Sequence, residues 1–403
     1  MKILHTSDWH LGHTLYNYDR TVEQQAFLRQ LTRIVTEEQP DAMVVSGDIY
    51  HYSSPAAATQ KMYTDAMLNI HQACPEMTIV VTAGNHDSSS KLEIDSNLWQ
   101  HFGLNVVGNI ERTAEEVNLD KHIIEINNEK KTKGYVIAVP HVYPQNFPLL
   151  DTETPRDQRQ ARFFQALLDE VKKRNTAQLP VVLMAHLSIE GSDRSGHDES
   201  IGGIEYVPLS AMGEGYDYLA LGHIHCPQDI KGSHHHARYC GTPLPVSFDE
   251  TYPHSVSIIE LEKGAEPQIS TREIENPIPL VTLPHDPTPF EDALKLLEEY
   301  PEEKPAYLRL NVLTKGYLPP DCNEKASNAA KGKACKYCYI KTTRERQADT
   351  DESKPISIQE MQEMSPLEIA RLYYRETEGK EMDPELCQLM ETVMQKVKSK
   401  NNS

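Results

Sequence analysis

The stretch that most constrains the fold is DAMVVSGDIYH, Asp41–His51. Its apolar run, Ala42-Met43-Val44-Val45, stops abruptly at Ser46-Gly47-Asp48. A short run rich in β-branched residues and closed by a turn signal predicts a strand buried on both faces. Gly47 lets the chain turn tightly, which leaves Asp48 at the strand's C-terminal mouth, where open α/β sheets bind ligands. One carboxylate there proves nothing, but four further runs end in the same way. Lys2–Thr6 leads into Ser7-Asp8-Trp9-His10-Leu11-Gly12, and Thr78–Ala83 into Gly84-Asn85-His86-Asp87. Pro180–Ala185 delivers His186, and Tyr216–Leu221 delivers Gly222-His223-Ile224-His225.

Helical spacing fills the gaps between these strands. Val22, Ala26, Leu31, Ile34 and Val35 mark a helix that stops before Pro40. A second opens near Pro55 and runs through Met62, Ala66 and Ile70, and a third spans Pro155–Arg174. Asn105–Val139 alternates short strands and turns, Glu190–Gly203 is polar and Gly-rich and predicts a mobile loop, and hairpins are predicted around Asp229–Cys240 and Val256–Glu262. This is α/β alternation with a β-rich second half.

Prolines crowd between Pro277 and Pro289, and a smaller unit starts there. Its predicted order is a strand at Leu280–Leu283, a helix at Phe290–Tyr300, a strand at Ala306–Thr314, a helix at Asn323–Ala334 and a strand at Tyr337–Thr343. The charged stretch Glu345–Lys354 reads as a linker. Two helices follow, opened by Ser365-Pro366-Leu367-Glu368 and by Asp383-Pro384. Leu386, Leu389, Met390, Val393, Met394 and Val397 form one apolar stripe, suited to docking on a partner helix. The expected division is therefore 1–275, 276–345 and 346–403.

The balance of 40 Lys+Arg against 60 Asp+Glu gives a net charge of −20. That excludes a broadly basic nucleic-acid binder and argues against an anionic membrane surface. DNA remains accessible through a local basic patch, a bound metal pair or a basic partner. The 7 scattered cysteines read as reduced thiols. No apolar stretch approaches the roughly 18–20 residues of a membrane span, and Asp8 interrupts any leader-like apolar region, so a cytoplasmic protein is expected. No G-x-x-x-x-G-K-[ST] loop is present, since Gly332-Lys333 lacks the upstream glycine.

The strand ends collect Asp8, His10, Asp48, Asn85, His86, His186, His223 and His225. All are oxygen or nitrogen donors, a set that suits Mn²⁺, Fe²⁺ or Zn²⁺ in an open catalytic site. In Asp8-x-His10 and His223-x-His225 the alternate side chains point the same way if the backbone stays extended. The donors outnumber what one ion needs, and two ions sharing a bridging carboxylate would use them. Two cations roughly 3.5–4 Å apart acidify a shared water and clamp phosphate oxygens, which favours a phosphate ester as substrate.

D-x-H-x-G at Asp8–Gly12, G-D-x-x-H at Gly47–His51, G-N-H-D at Gly84–Asp87, the lone His186 and G-H-x-H at Gly222–His225 resemble the calcineurin-type metallophosphoesterases. TSDWHLGH, GDIYHYSSP, GTPLPVSFDE at Gly241–Glu250 and SPLEIARLYY resemble the SbcD-type nuclease branch of that family, over essentially the whole chain. The resemblance implies an α/β fold: a four-layer αββα sandwich, then a small α/β capping domain and a C-terminal helix-loop-helix. It implies two divalent ions, Mn²⁺ foremost, with Mg²⁺, Fe²⁺ and Zn²⁺ suiting the same donors. Asp8, His10, Asp48 and His225 would hold one ion; Asp48, Asn85, His186 and His223 would hold the other. His86 would act on the leaving oxygen and His51 would assist near the scissile phosphate. The activity implied is 3′→5′ exonuclease on duplex DNA and endonuclease on single strands and hairpins, in repair, recombination and replication. The partner implied is an SMC-like ATPase of the SbcC type, docked through the C-terminal helices onto a homodimer within a heterotetramer. A small-molecule phosphodiesterase and a non-catalytic scaffold stay open, although the former needs neither cap nor tail. His234-His235-His236 reads as an exposed turn, Cys335-x-x-Cys338 with Cys322 as chance, and His13 either as a surface residue or as lining the site.

Overall fold

In the computed structural model, Ala42–Ser46 is buried along its whole length because each face meets a different apolar layer. Met43 and Val45 pack with Phe27, Leu31 and Ile70 from the flanking helices. Ala42 and Val44 face the other way, onto Val136, Ala138, Val182 and Met184 of a second sheet. The period-two alternation of a strand thus feeds two cores at once. The structure describes Met1–Arg344 except residues 113–116, 129–130, 152, 196–205 and 263; beyond 344 it describes 367, 368, 370, 371, 374, 382, 383, 386–388 and 390.

The first sheet runs, in spatial order, Gln268–Glu273, Ser255–Glu260, Lys2–Thr6, Ala42–Ser46, Thr78–Thr82 and Leu104–Val107. Its last four strands are parallel, with Leu4 opposite Met43 and Val45 opposite Val81. The second runs Gln228–Asp229, Ala237–Tyr239, Tyr218–Gly222, Val181–His186, Lys131–Ala138 and Ile123–Asn128. Helices Thr21–Glu38 and Ala57–Ala73 cover the first sheet, and Arg159–Arg174 covers the second with Phe163, Phe164, Leu167 and Leu168. The result is the four-layer αββα sandwich.

A third sheet, Leu280–Thr288, Tyr307–Thr314 and Lys336–Arg344, is parallel and backed by helices Phe290–Glu298 and Cys322–Ala330. Two of its boundaries differ from expectation by more than two residues. The helix expected to reach Ala334 ends at Ala330, because Gly332 turns the chain at φ +85° into the last strand. The first strand runs on past Leu283 to Thr288 through Pro284 and Pro287, which an edge strand tolerates since no ladder N–H is needed there.

This sheet rests on the sandwich through a buried arginine. The Arg309 guanidinium donates to Asp249 Oδ1 at 2.7 Å and to Thr282 Oγ1 at 3.1 Å, and lies 5.2 Å from the Phe248 ring centroid. Tyr307 donates to Glu23 Oε1 at 2.7 Å.

The chain divides into two compact units, Met1–Arg344 and Glu345–Ser403. In the second, Leu367 and Glu368 are helical, as are Leu386, Cys387 and Gln388. Ser365, Pro366, Pro384, Leu389, Val393, Met394 and Val397 lie outside the described residues, as does most of 190–203 after Ser195. All 7 cysteines are free thiols, and His234 and His235 lie in an exposed turn. Among the described residues no helix is long and apolar enough to cross a membrane.

Candidate metal centre

The strand ends meet on one rim, but not through extended backbone. Asp8, His10, Asp48 and His223 have φ of 53°, 44°, 52° and 96°. Asp8/His10 and His223/His225 therefore converge because the chain coils at each strand end; the expected alternation of an extended strand does not apply. Backbone bonds between the loops hold these turns: Asp8 N–H donates to Gly47 O at 3.0 Å and His10 N–H to Asp48 O at 3.0 Å. Left-handed non-glycine residues clustered in this way are a mark of functional sites, where the surroundings must over-determine the strained backbone. Space is equally tight. A Cβ on Gly47 would stand 2.2 Å from His186 Nδ1, and one on Gly84 would stand 2.1 Å from Asp48 Oδ1.

Two groups of donors share Asp48. On one side Asp8, His10 and His225 present ligand atoms all within 4.8 Å of one another. His10 Nε2 is 3.2 Å from His225 Nε2 and 3.8 Å from Asp48 Oδ2. On the other side His186 Nε2 is 3.5 Å from Asp48 Oδ2, and both His186 Nε2 and His223 Nδ1 stand 3.0 Å from Asn85 Oδ1. His51 and His86 stack at 5.2 Å with their planes 26° apart, and the His10 ring lies 4.9 Å from His86. His13 lines the site as well, edge-on to His51 at 4.5 Å. Every candidate residue drawn from the strand ends is thus in one cluster.

The donor set fits cations. His186 Nδ1 lies 2.8 Å from the Ser46 carbonyl, which can only accept, so its proton sits there. In the neutral ring, Nε2 then turns a lone pair toward two more acceptors, Asn85 Oδ1 and Asp48 Oδ2. Among the described residues no lysine or arginine pairs with Asp8 or Asp48; their partners are histidines, Ser7 and backbone N–H groups. Two buried carboxylates with no lysine or arginine beside them favour a positive charge between them. The titration pattern reports the same field. Burial opposes a charge on His186, yet the Asp48 carboxylate beside it raises its pKa to about 9. Burial likewise works against ionisation of Asp48, but His186 and His10 hold it well below the usual carboxylate range.

Two supporting residues close motifs noted above, Asp87 in G-N-H-D and Glu250 in GTPLPVSFDE, but neither is among the expected ligands. Asp87 accepts the backbone N–H groups of Ile49, Tyr50 and Gly84 at 3.1, 2.9 and 2.8 Å, tying the loop after Asp48 to the loop before Asn85. Glu250, its side chain fully buried, places Oε1 2.9 Å from His225 Nδ1 and so turns Nε2 toward the site. Carboxylates in this position fix the tautomer and orientation of metal-ligating histidines. Glu250 lies 25 residues beyond His225, on a loop whose approach only the fold creates.

Residues 1–227 match the calcineurin-like phosphoesterase family, and residues 276–378 match the family described as type 5 capsule protein repressor C-terminal domain (SbcD_C). The chain is 33% identical over 309 residues to the SbcD subunit of the nuclease SbcCD from Rhodobacter capsulatus, covering 74% of this chain and 75% of the relative. It is 27% identical to the SbcD subunit from Escherichia coli K12, over 95% of this chain and 94% of that one. For the SbcD subunit of Bacillus subtilis the figures are 31%, 66% and 68%. With a rim of side chains that could hold cations on a four-layer sandwich, the chain belongs to the SbcD family of calcineurin-like phosphoesterases.

Proposed function

We propose that the chain is the nuclease subunit of an SbcCD-type complex, a cytoplasmic enzyme that hydrolyses DNA phosphodiesters at a pair of Mn²⁺ ions. The observation that carries this is the position of Asp48, whose Oδ2 lies 3.8 Å from His10 Nε2 and 3.5 Å from His186 Nε2. Asp8, His10, Asp48 and His225 form one ligand set; Asp48, Asn85, His186 and His223 form the other. When bound, such an ion pair supplies Lewis acidity toward phosphoryl oxygens and an acidified water.

The protein's own groups do the rest. His86 is held by its amide on Asp48 Oδ1 at 2.9 Å and by Nδ1 at 2.9 Å from the His51 carbonyl. That carbonyl only accepts, so Nδ1 carries one proton and a proton for transfer would sit on Nε2. Donation from Nε2 to the leaving oxygen makes His86 the general acid. His51, stacked on it, keeps the ring in place.

The division into 1–275, 276–345 and 346–403 assigns the chemistry to the sandwich, substrate placement to the cap and partner docking to the tail. The relatives are named as subunits of a complex, and a chain of −20 net charge without a nucleotide-binding loop fits one that shares DNA binding with an ATPase. The 3′→5′ exonuclease and hairpin endonuclease activities, and the homodimer within a heterotetramer, belong to the same reading.

The test is incubation with Mn²⁺ and a hairpin DNA, alongside bis-p-nitrophenyl phosphate. Cleavage of the small ester alone would favour a small-molecule phosphodiesterase, and cleavage of neither a scaffold. His86→Ala is expected to lower kcat about 10²–10⁴-fold while calorimetry still records Mn²⁺ binding. Full activity in that variant would remove the assigned role.

A further inference from the structure

Beside the metal centre lies a cavity of about 350 Å³ that the two-cation chemistry leaves unexplained. Its volume falls within the roughly 300–1,000 Å³ typical of ligand clefts. It opens against Asn85, His186 and His223, so a molecule bound in it adjoins one of the two donor groups. The far walls come from the loop after Lys131–Ala138, with Pro140, Tyr143 and Phe147, and from Phe164 of the covering helix.

The lining is largely apolar and aromatic, and among the described residues it contains no Asp, Glu, Lys or Arg. Away from the histidines that face the metal centre, a second phosphate would find no lysine or arginine among the described residues, and a cationic ligand no carboxylate. What the walls do offer is flat apolar surface and a few uncharged hydrogen-bonding groups. Tyr143 is 52% exposed and stands edge-on to His141, ring centroids 5.0 Å apart and planes at 81°. His141 is anchored from behind, by its amide on Ala83 O at 2.7 Å and by Nδ1 at 3.2 Å from His186 O. Since that carbonyl only accepts, neutral His141 keeps Nε2 as an acceptor, and this atom has no partner among the described residues. The Ser188 hydroxyl, on a residue only 2% exposed, is likewise unpartnered. Gln145 and Gln160 add amides at the edge.

We propose that this cavity receives the base and sugar of one unpaired nucleotide whose phosphate lies at the metal centre. The inference rests on the phosphodiester reading of that centre and adds what flanks the phosphate. A base still stacked within a duplex cannot enter a side cavity; one in a hairpin loop, a single strand or a frayed end can. Stacking on an aromatic ring tolerates any base, because every base presents a π-face. The polar groups are few and adaptable, in keeping with a site that processes DNA of arbitrary sequence.

Binding and turnover test this separately. A trinucleotide with a central 2-aminopurine and non-hydrolysable methylenephosphonate linkages is titrated with the full chain in Mg²⁺, so that the metal sites stay filled and no cleavage occurs. Saturable quenching is expected, weakened about tenfold by Tyr143→Ala and retained by Tyr143→Trp, which keeps the stacking face. With Mn²⁺, the KM of p-nitrophenyl thymidine 5′-phosphate is expected about tenfold below that of methyl p-nitrophenyl phosphate, and Tyr143→Ala is expected to erase that ratio. Quenching that is absent, or within twofold in Tyr143→Ala, overturns the base cavity; so does a KM ratio that survives the substitution. If neither ester is hydrolysed while Tyr143-dependent quenching persists, the cavity stands and the hydrolytic reading of the metal centre falls.

Discussion

Replacing Glu250 with glutamine separates the ion-holding role of His225 from its mere presence. The carboxylate serves two donors at once: Oε1 faces His225 Nδ1 at 2.9 Å, and Oε2 accepts the Val246 N–H at 3.2 Å. Glutamine has the same shape but only one acceptor oxygen. Whichever way its amide turns, an NH₂ group confronts one of two N–H donors in a fully buried place. If it confronts His225, the imidazole proton is driven to Nε2, and the lone pair that faces the site is lost. Disturbing such a carboxylate–histidine pair typically costs 10–100-fold in metal affinity, or about 1.4–2.8 kcal/mol at about 1.4 kcal/mol per tenfold. The assay is Mn²⁺ calorimetry together with the Mn²⁺ dependence of bis-p-nitrophenyl phosphate hydrolysis. Glu250→Gln is expected to shift half-saturation upward by that factor, with the rate largely restored at high Mn²⁺. An unchanged Mn²⁺ affinity would refute the positioning role, and a rate lost at every Mn²⁺ concentration would place Glu250 in the chemistry instead.

Two further predictions concern stability. Burial depresses the His122 pKa to about 4 from an ordinary 6.5, even though Nδ1 bonds the Ala138 carbonyl at 2.7 Å. The folded pKa is the lower one, so between about 6.5 and 4 the unfolded chain binds more protons; this contribution is whole above about pH 6.5 and is lost as pH falls toward 4. It amounts to about 3 kcal/mol, and His122→Gln should flatten the acid limb of the denaturation midpoint, whereas identical pH profiles would discount it. Arg309→Met removes charge-assisted bonds to Asp249 and Thr282 and a contact on Phe248. A loss of about 2–3 kcal/mol is expected, measured by urea unfolding, with earlier proteolysis near residue 276; an unaltered midpoint would show the cap held by its apolar contacts alone.

Much of this protein was legible without coordinates because the signals are local. A buried strand that ends in a turn announces itself by a short, mostly apolar run that stops at a small or polar residue, and Asp8, Asp48, Asn85, His186 and His223 each follow such a run. The amphipathic helices and the start of the cap near Pro277 are local as well. How these pieces meet is not local. Asp8 and His10 turn inward through left-handed backbone, held by hydrogen bonds to a loop some 40 residues away, so the extended geometry inferred from spacing does not occur. Asp87 and Glu250 close motifs that do not reveal what their carboxylates bind, and the Tyr143 cavity has no motif; each acquires its role from partners supplied by other strands. The sequence alone determined which residues could hold cations and that they end strands, since residue chemistry and burial pattern are written in the chain. Only the tertiary structure decided which side chain orients which, and where a cavity opens, because those depend on distances between segments that sequence separation does not encode.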